Sequence, residues 1–323
     1  MALGQSAGER AGPTIVTCNP LMEQFVRDIV PDCRIPPIWD AVDPLAMLRE
    51  QAGDARLAVS FGGFPFDAAM IDTLPSLEFV QLIGAGFDGL DTAALARRGI
   101  PFANAGNANC ADVADYAMSM ALALRRDLFS ADDWVRSGRW QRDGRPPIRR
   151  SFSSDRAGII GLGNIGQAVA RRLAGFGISV AWWGPREKAG EPLQRARSAL
   201  ALAEWASILF VCCPATSDTH NLIDANILDA LGSNGLLVTV ARGSVTDEDA
   251  LLEALREGRL GGAGLDVFWQ EPTPPERWAG IPNVILSPHH AGVSMESMAR
   301  SSEVVAENIR RFYAGEDLKF LIK

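Results

Sequence analysis

The hydrophobic and polar pattern of the chain is most informative at residues 157–183, which begin with a short apolar run at residues 157–160. The run suits a buried parallel strand. It is followed by a glycine-rich turn and by residues 167–174, whose apolar positions recur with helical spacing. A second apolar run, residues 178–183, predicts another strand. This strand–turn–helix–strand order is typical of a βαβ unit, in which the two strands lie parallel in one sheet.

Strand-like and helix-like segments alternate along the rest of the chain as well. In the first part we predict strands at residues 14–17, 34–38, 57–61 and 79–83, and helices at residues 21–29, 45–51 and 92–97. Helices are predicted next at residues 111–126 and 131–137, followed by a basic, proline- and glycine-rich loop at residues 138–150. The later strands are predicted at residues 208–212, 236–241, 262–267 and 284–287, and the later helices at residues 225–231, 248–256 and 294–313.

This order of elements predicts an α/β protein with two domains. At least six strands in βαβ order indicate a Rossmann-type, doubly wound parallel sheet, which we assign to a dinucleotide-binding domain at residues 104–293. That domain is inserted in a smaller, flavodoxin-like α/β domain. We assign residues 1–103 and 294–323 to the smaller domain and expect it to bind the substrate.

Composition narrows the function classes. The 323 residues are 47% hydrophobic and 22% charged, which excludes a disordered or fibrous chain. The net charge of −8 argues against nucleic acid or an anionic membrane as the partner. Residues 1–13 carry no signal-peptide hydrophobic region, and the cysteines (Cys18, Cys33, Cys110, Cys212 and Cys213) are odd in number and match no zinc spacing. We therefore expect a cytoplasmic protein that contains no metal site.

The turn after the central strand carries the spacing G-x-G-x-x-G, with glycines at Gly161, Gly163 and Gly166. In dinucleotide-binding proteins the first glycine makes a tight turn, the second admits the pyrophosphate and the third lets the helix pack on the strand. The N–H groups at the helix start, including those of Asn164 and Ile165, then face the phosphates. A glycine-rich structural turn is the alternative, but the strand–turn–helix context favours a dinucleotide site.

The end of the second strand bears on the choice of cofactor. NAD-binding proteins of this class place an acidic residue there to bind the ribose 2′-hydroxyl, whereas this chain has Gly184, followed by Pro185 and Arg186. Glycine leaves room for a 2′-phosphate, and arginine supplies donors for it. A solvated turn is the alternative, and the nearby Glu187 weakens the argument. We predict that NADP(H) is favoured over NAD(H).

Candidate chemistry lies where the predicted strands end, because ligands bind at the carboxyl edge of open α/β sheets. An arginine, Arg242, and a histidine, His289, each follow a strand, and Glu271 lies in a loop on the same side. A cation, a histidine and a carboxylate together suit reduction of a carbonyl in an acidic substrate. Each of these residues alone has an ordinary structural explanation. Two further strand-end positions, Pro214 and Ala241, are predicted to contact the cofactor, and Asp266 also follows a strand.

Four segments, ARGSVTDEDALLEALREGRLGGAGLDVFWQEP, NVILSPHHA, GAGFDGLDTAALARRGI and ADVADYAMSMALALR, resemble the D-2-hydroxyacid dehydrogenase family. The resemblance implies that Arg242 binds the substrate carboxylate and carbonyl, that His289 is the acid/base, and that Glu271 hydrogen-bonds this histidine. It also implies that Asp266 holds the nicotinamide carboxamide, and that the N–H groups of Ala85 and Gly86 bind the substrate carboxylate. A homodimer and a cleft that closes between the domains are implied as well.

Within the family, the VAD helix and the Gly184–Arg186 turn are most similar to the NADPH-dependent glyoxylate/hydroxypyruvate reductases. The chain departs from the family at Thr239, where asparagine is common, at Asp115, where glutamate is usual, and at His290. We therefore expect an NAD(P)-dependent dehydrogenase that reduces a small 2-oxo acid such as glyoxylate or hydroxypyruvate. A dinucleotide-sensing corepressor on the same fold is the alternative. The sequence leaves open which 2-hydroxy acid is used and in which direction the reaction runs.

Overall fold

Four parallel strands form the first of two sheets in the computed structural model, which describes residues 12–322. The strands are β1 (Ile15–Thr17), β2 (Leu57–Ser60), β3 (Phe79–Leu82) and β4 (Phe102–Ala103), and they lie in that order. The helices between them are α1 (Pro20–Ile29), α2 (Pro44–Gln51), α3 (Ala68–Thr73) and α4 (Thr92–Arg98). Every residue of these strands is buried, as expected for a parallel sheet covered on both faces.

The strand predicted at residues 34–38 is wrong. The structure has one isolated bridge there, between Thr14 and Arg34, and a short 3-10 turn at Ile38–Asp40. Pro36 and Pro37 lack the N–H groups that a ladder requires, so pairing ends after a single residue. Of the polar lead predicted for residues 1–13, residues 1–11 lie outside the described part of the chain.

Seven parallel strands form the second sheet. They are β5 (Arg156–Ile160), β6 (Ser179–Trp183), β7 (Gln194–Arg195), β8 (Ile208–Val211), β9 (Leu236–Thr239), β10 (Gly262–Leu265) and β11 (Val284–Leu286). Their order is β11-β10-β9-β8-β5-β6-β7, so the sheet is doubly wound and its order reverses beside β5 and β8. The predicted Rossmann-type architecture is therefore confirmed, and its switch point lies at the glycine-rich turn after β5.

Helices cover both faces of this sheet. The helices before the last strand are α5 (Cys110–Arg126), α6 (Leu128–Arg136), α7 (Arg139–Asp143), α8 (Asn164–Gly175), α9 (Ala199–Trp205), α10 (Ala225–Leu231) and α11 (Glu248–Arg256). Buried residues of α5 and α8 join one apolar cluster, and those of α9, α10 and α11 join another. The predicted loop at residues 138–150 is partly wrong, because α7 occupies its first part.

The last helix, α12 (Met295–Ala314), returns to the first sheet. Its buried Asn308 donates to Gln81 Oε1 of β3 at 2.8 Å and exchanges hydrogen bonds with the backbone of Lys319. The tail then pairs with β4, since Leu321 bridges Ala103 in the antiparallel sense. Residues 319–322 are thereby attached to the first sheet.

The chain divides into two compact units at Asn109/Cys110 and Ser294/Met295. The first unit contains β1–β4 with α1–α4 and α12, and the second unit is Cys110–Ser294. These boundaries differ from the predicted ones at 103/104 and 293/294, because the connecting residues after β4 pack with the first unit. None of the helices within residues 12–322 is long and apolar enough to cross a membrane.

Candidate active site

The turn after β5 has the geometry that its glycines require. Gly161 has a φ of +88°, and a Cβ built on it would lie 2.6 Å from Cα of Cys213. A Cβ on Gly166 would lie 2.2 Å from the Gly161 carbonyl oxygen. Side chains at these two positions would clash with backbone, so the turn and the start of α8 can pack on β5 only with glycine there.

Gly163 differs from its two neighbours in the motif. A Cβ built on it would meet no heavy atom of the described protein within 4 Å, so its open side can admit a ligand. Helix α8 begins at the next residue with no side-chain cap, and Gln167 is the first residue whose N–H bonds back, to the Gly163 carbonyl. The free N–H groups at Asn164, Ile165 and Gly166 fit the phosphates of a dinucleotide.

The turn after β6 is braced from behind by Arg195 of β7. Its guanidinium donates to the Gly184 carbonyl, with the shorter contact at 2.7 Å, and reaches the Pro185 carbonyl at 3.4 Å. It also lies 3.6 Å from a carboxylate oxygen of Glu187. The charge of Glu187, which weakened the sequence argument for NADP(H), is thus partly balanced by a neighbouring cation.

A second cation, which the sequence pattern did not reveal, lies beside the glycine-rich turn. The ammonium group of Lys188 donates to the carbonyl oxygen of Leu162, inside the G-x-G-x-x-G motif. Arg186 lies two residues before it, so two cationic side chains leave the turn after β6. The spacing R-x-K was the available signal, but without the fold nothing connected Lys188 to Leu162.

His289 and Glu271 form the central contact of the site. Nδ1 of His289 lies 2.7 Å from Oε2 of Glu271, and the other carboxylate oxygen accepts from the N–H of Phe268 at 2.9 Å. Both side chains remain partly exposed, at 45% and 36%. An ionised carboxylate can only accept, so Nδ1 donates and Nε2 is the ring nitrogen left for a substrate.

The carboxyl group of Glu271 titrates below its ordinary range. Partial burial acts to raise its pKa, but the hydrogen bonds from His289 and Phe268, with the charges of His289 and Arg242, outweigh that effect and lower the pKa. Glu271 is therefore an anion at neutral pH. Arg242 is close enough to Glu271 for its charge to lower the pKa of that carboxyl group. The three predicted catalytic side chains therefore lie near one another at one edge of the second sheet.

Asp266 anchors the loop that carries His289. Its buried carboxylate accepts from the hydroxyl of Ser287 at 2.6 Å and from the N–H groups of His290 and Ala291 at 2.8 and 2.9 Å. The N–H of His289 donates to the Asp266 carbonyl at 2.8 Å. These bonds hold His289 at a φ of +53°, an uncommon conformation for a residue other than glycine.

Arg242 leaves the end of β9 next to the loop that bears Glu271. A Cβ on the following residue, Gly243, would lie 1.8 Å from the Phe268 carbonyl oxygen, so glycine permits this close approach of the two loops. The guanidinium of Arg242 donates to the carbonyl of Ala241 at 2.7 Å.

Pro214, at the end of β8, accepts from the Thr219 hydroxyl at 2.8 Å. The predicted strand-end residues thus lie on the carboxyl edge.

The turn Gly84–Ala85–Gly86 follows β3 of the first unit. The carbonyls of Gly84 and Ala85 accept from Ala105 N at 3.0 Å and from the side-chain amide of Asn104 at 2.8 Å. Within residues 12–322, the N–H groups of Ala85 and Gly86 donate to no acceptor. Two adjacent free N–H groups can bind an anion such as a carboxylate.

The other histidines are placed differently. His290 is exposed, and its backbone rather than its ring bonds Asp266. His220 is also exposed, and its ring meets Trp269 edge-on, with centroids 5.6 Å apart.

Comparisons with known proteins agree with this geometry. Residues 118–291 match the model of the D-isomer specific 2-hydroxyacid dehydrogenase NAD-binding domain. A glyoxylate/hydroxypyruvate reductase of Arabidopsis thaliana is 37% identical over 83% of this chain and 83% of its own. Hydroxyphenylpyruvate reductase of Plectranthus scutellarioides is also 37% identical, over 87% of this chain and 89% of its own.

Solved structures show the same likeness. An NADPH-dependent glyoxylate/hydroxypyruvate reductase from Sinorhizobium meliloti, in complex with NADP and malonate, superposes with a TM-score of 0.84. It is 33% identical, with 96% of each chain covered. A 2-hydroxyacid dehydrogenase from Ketogulonicigenium vulgare is 34% identical and superposes with a TM-score of 0.89, covering 96% of this chain and 98% of its own.

The doubly wound sheet with its glycine-rich turn, together with these relatives, identifies an oxidoreductase that works with a nicotinamide cofactor. The chain is therefore an NAD(P)-dependent dehydrogenase, as the sequence predicted. Within that class, it belongs to the D-isomer specific 2-hydroxyacid dehydrogenase family.

Proposed function

We propose that this enzyme reduces small 2-oxo acids, glyoxylate and hydroxypyruvate first, to the corresponding D-2-hydroxy acids. The observation that carries the proposal is the 2.7 Å contact between His289 Nδ1 and Glu271 Oε2 at the carboxyl edge of the second sheet. The names of the reductases to which the chain is similar support the choice of substrates.

His289 supplies the proton in this proposal. Glu271 accepts from Nδ1 and so fixes the ring, which leaves the proton on Nε2 to be given to the oxygen of the substrate carbonyl as negative charge develops there. The carboxylate also stabilises the positive charge that the ring carries before transfer. Glu271 acts through His289 and is in this sense a positioning residue.

Arg242 and the turn after β3 bind the substrate in this proposal. The guanidinium of Arg242 takes the substrate carboxylate and polarises the adjacent carbonyl, since arginine presents paired donors to such groups. The free N–H groups of Ala85 and Gly86 take the carboxylate as well. Fixing the acid in this way orients the C2 carbonyl before the reaction.

The nicotinamide cofactor supplies the hydride that reduces C2. We propose that Gly161, Gly163 and the first N–H groups of α8 hold its phosphates, and that Asp266 binds its carboxamide while anchoring the His289 loop. Pro214 and Ala241 line the same edge. Arg186 and Lys188 favour NADP(H) over NAD(H), because two cationic side chains leave the turn where a 2′-phosphate would bind and Gly184 places no carboxylate there.

A second copy of the chain is the proposed partner, in a homodimer. Helices α6 and α7 have no buried residue, although they and the segment after them carry large apolar side chains. Those exposed by more than half are Leu128, Phe129, Val135, Trp140 and Ile148. Apolar surface of this extent favours a protein interface.

The cytoplasm is the proposed compartment, supported by five cysteines that are all free.

The test of this proposal is the oxidation of NADPH by the purified enzyme with glyoxylate, hydroxypyruvate and phenylpyruvate in turn. We expect turnover that saturates with glyoxylate or hydroxypyruvate, together with formation of the D-hydroxy acid. Tight binding of NADPH without turnover of any of the three acids would contradict the proposal and would favour the corepressor-like alternative.

A further inference from the structure

Asn104 lies behind the turn that the proposed function assigns to the substrate carboxylate. It follows β4 and is buried, at 8% exposure. Its amide nitrogen donates to the Ala85 carbonyl at 2.8 Å, and the next residue, Ala105, donates its N–H to the Gly84 carbonyl at 3.0 Å. Two successive carbonyls of the turn are therefore held by two successive residues of another segment.

These two bonds determine where the turn's N–H groups point. In a trans peptide the carbonyl and the N–H of the same unit point in opposite directions. The carbonyl of Gly84 shares a peptide with the N–H of Ala85, and the carbonyl of Ala85 shares one with the N–H of Gly86. With both carbonyls bound toward residues 104–105, both N–H groups face the other way, side by side.

The amide of Asn104 is itself fixed at both ends. Its oxygen accepts from the N–H of Gly106 at 2.9 Å, which closes a turn within its own segment. Gly106 has a φ of +63°, and a Cβ on it would lie 2.5 Å from the Phe320 ring. The side chain of Asn104 therefore cannot rotate away from Ala85 without breaking a second hydrogen bond.

We propose that Asn104 is a positioning residue for substrate binding: its amide orients the Ala85–Gly86 peptide so that the Gly86 N–H receives the carboxylate of the 2-oxo acid. This inference rests on the proposed function and adds a residue to it. Asn104 does not touch the substrate. It acts by holding a peptide that would otherwise be free to rotate.

The expected signature is a loss of substrate affinity with little loss of chemistry. The carboxylate is held in the same way in the ground state and in the transition state, so a weaker carboxylate site raises KM and leaves kcat nearly unchanged. Asn104→Asp is the sharpest variant. It keeps an acceptor for the Gly106 N–H but places a carboxylate oxygen against the Ala85 carbonyl, where the two oxygens repel each other.

The experiment compares wild type, Asn104→Asp, Asn104→Ala and the control Asn107→Ala, which removes an exposed amide three residues away. We expect both Asn104 variants to raise the KM for hydroxypyruvate by about ten-fold or more, with kcat within about three-fold of wild type. Oxalate, a dicarboxylate that is not reduced, should bind more weakly by a similar factor in calorimetry. The Kd for NADPH and all properties of Asn107→Ala should stay at wild-type values.

An unchanged KM and an unchanged oxalate Kd in both Asn104 variants would overturn this inference while leaving the proposed function intact. Equal losses of oxalate and NADPH affinity would overturn it too, because they would indicate a general structural defect. If wild type reduces no 2-oxo acid, the proposed function fails, and the oxalate titrations still decide the role of Asn104. A wild type that neither reduces these acids nor binds oxalate would overturn both.

Discussion

Glu271 accepts hydrogen bonds from the Phe268 N–H and from the His289 ring. From these two bonds we predict the effect of Glu271→Gln on catalysis. Glu271→Gln preserves the shape of the side chain but removes the charge that stabilises the protonated ring. We expect kcat/KM to fall roughly ten- to a hundred-fold, less than the loss caused by removing the acid itself in His289→Ala. Steady-state kinetics of both variants measure this. Equal activity in Glu271→Gln and wild type would contradict the assigned role.

The lowered pKa of Glu271 sets the low-pH side of the pH profile of kcat/KM. The carboxylate keeps its charge, and with it the bond to His289, above its own pKa, and loses both as the pH falls through that value. Because the hydrogen bonds and nearby charges place this pKa below the ordinary 4.5, the wild-type kcat/KM should show a decline from this group only below pH 4.5. The pH profile of Glu271→Gln should lack that limb. An identical acid limb in both proteins would assign it to another group.

Arg186 should act on NADPH alone, because it leaves the turn where only NADPH has a 2′-phosphate. Removing a hydrogen bond to a charged group costs about 1.5–3 kcal/mol, or roughly a ten- to a hundred-fold loss of affinity. Arg186→Ala should raise the Kd for NADPH by that order and leave the Kd for NADH nearly unchanged. Fluorescence titration with both cofactors checks this, and equal losses for the two cofactors would contradict the assignment.

Among single residues, the sequence predicted those whose side chains have recognisable chemistry. It did not predict those whose role depends on a tertiary contact with a distant segment. Arg242 and His289 follow predicted strands and Glu271 lies in a loop on the same side, so the predicted topology brought them to one edge. Lys188 and Asn104 depend on single contacts, to Leu162 and Ala85, that cross from one segment to another. A linear pattern contains no signal for such contacts.

Among the elements, α5 is attached to the second sheet by a buried ion pair. Arg125 Nε lies 2.7 Å from the carboxylate of Asp155, and these side chains are 6% and 0% exposed. The same guanidinium donates to the carbonyls of Ser207 and Asn234 at 3.0 Å. Burial lowers the pKa of Arg125, and Asp155 opposes that effect. The pair therefore connects one helix with the starts of several strands.

Asp155→Ala should be strongly destabilising, because it leaves the charge of Arg125 buried without its partner. We expect the free energy of unfolding to fall by about 3–5 kcal/mol in denaturant titrations. The matched control is Asp132→Ala, which breaks an exposed pair with Arg136 and should leave the unfolding midpoint unchanged. Similar midpoints for the two variants would contradict this account of α5.

Helices with a sustained apolar periodicity could be predicted from the sequence, whereas the shortest strands could not. Helices α10 and α11 have the predicted bounds, whereas β4 and β7 have two residues each and show no alternation that a sequence pattern can register. The predicted strands at residues 236–241 and 262–267 extend too far. Their last apolar residues leave the ladder, because the backbone turns there to present Arg242 and to place Asp266.

For the whole molecule, the exposed apolar side chains around α6 and α7 predict the oligomeric state. Ile148, fully exposed in the single chain, should be buried in the proposed homodimer, so Ile148→Asp should yield monomers. Val42→Asp, at an equally exposed residue of the first unit, is the control and should remain dimeric. Analytical ultracentrifugation measures both. A monomeric wild type would contradict the proposed dimer.

His289 is proposed to give the proton when a nicotinamide cofactor reduces a 2-oxo acid on this protein. The most direct measurement compares NADPH consumed with D-hydroxy acid formed from hydroxypyruvate, for wild type and for His289→Gln, with NADPH affinity measured in parallel. We expect equal amounts of both for wild type, and a rate roughly a hundred-fold or more lower for His289→Gln with NADPH affinity retained. Wild-type turnover in His289→Gln, or an L-hydroxy acid as product, would contradict it.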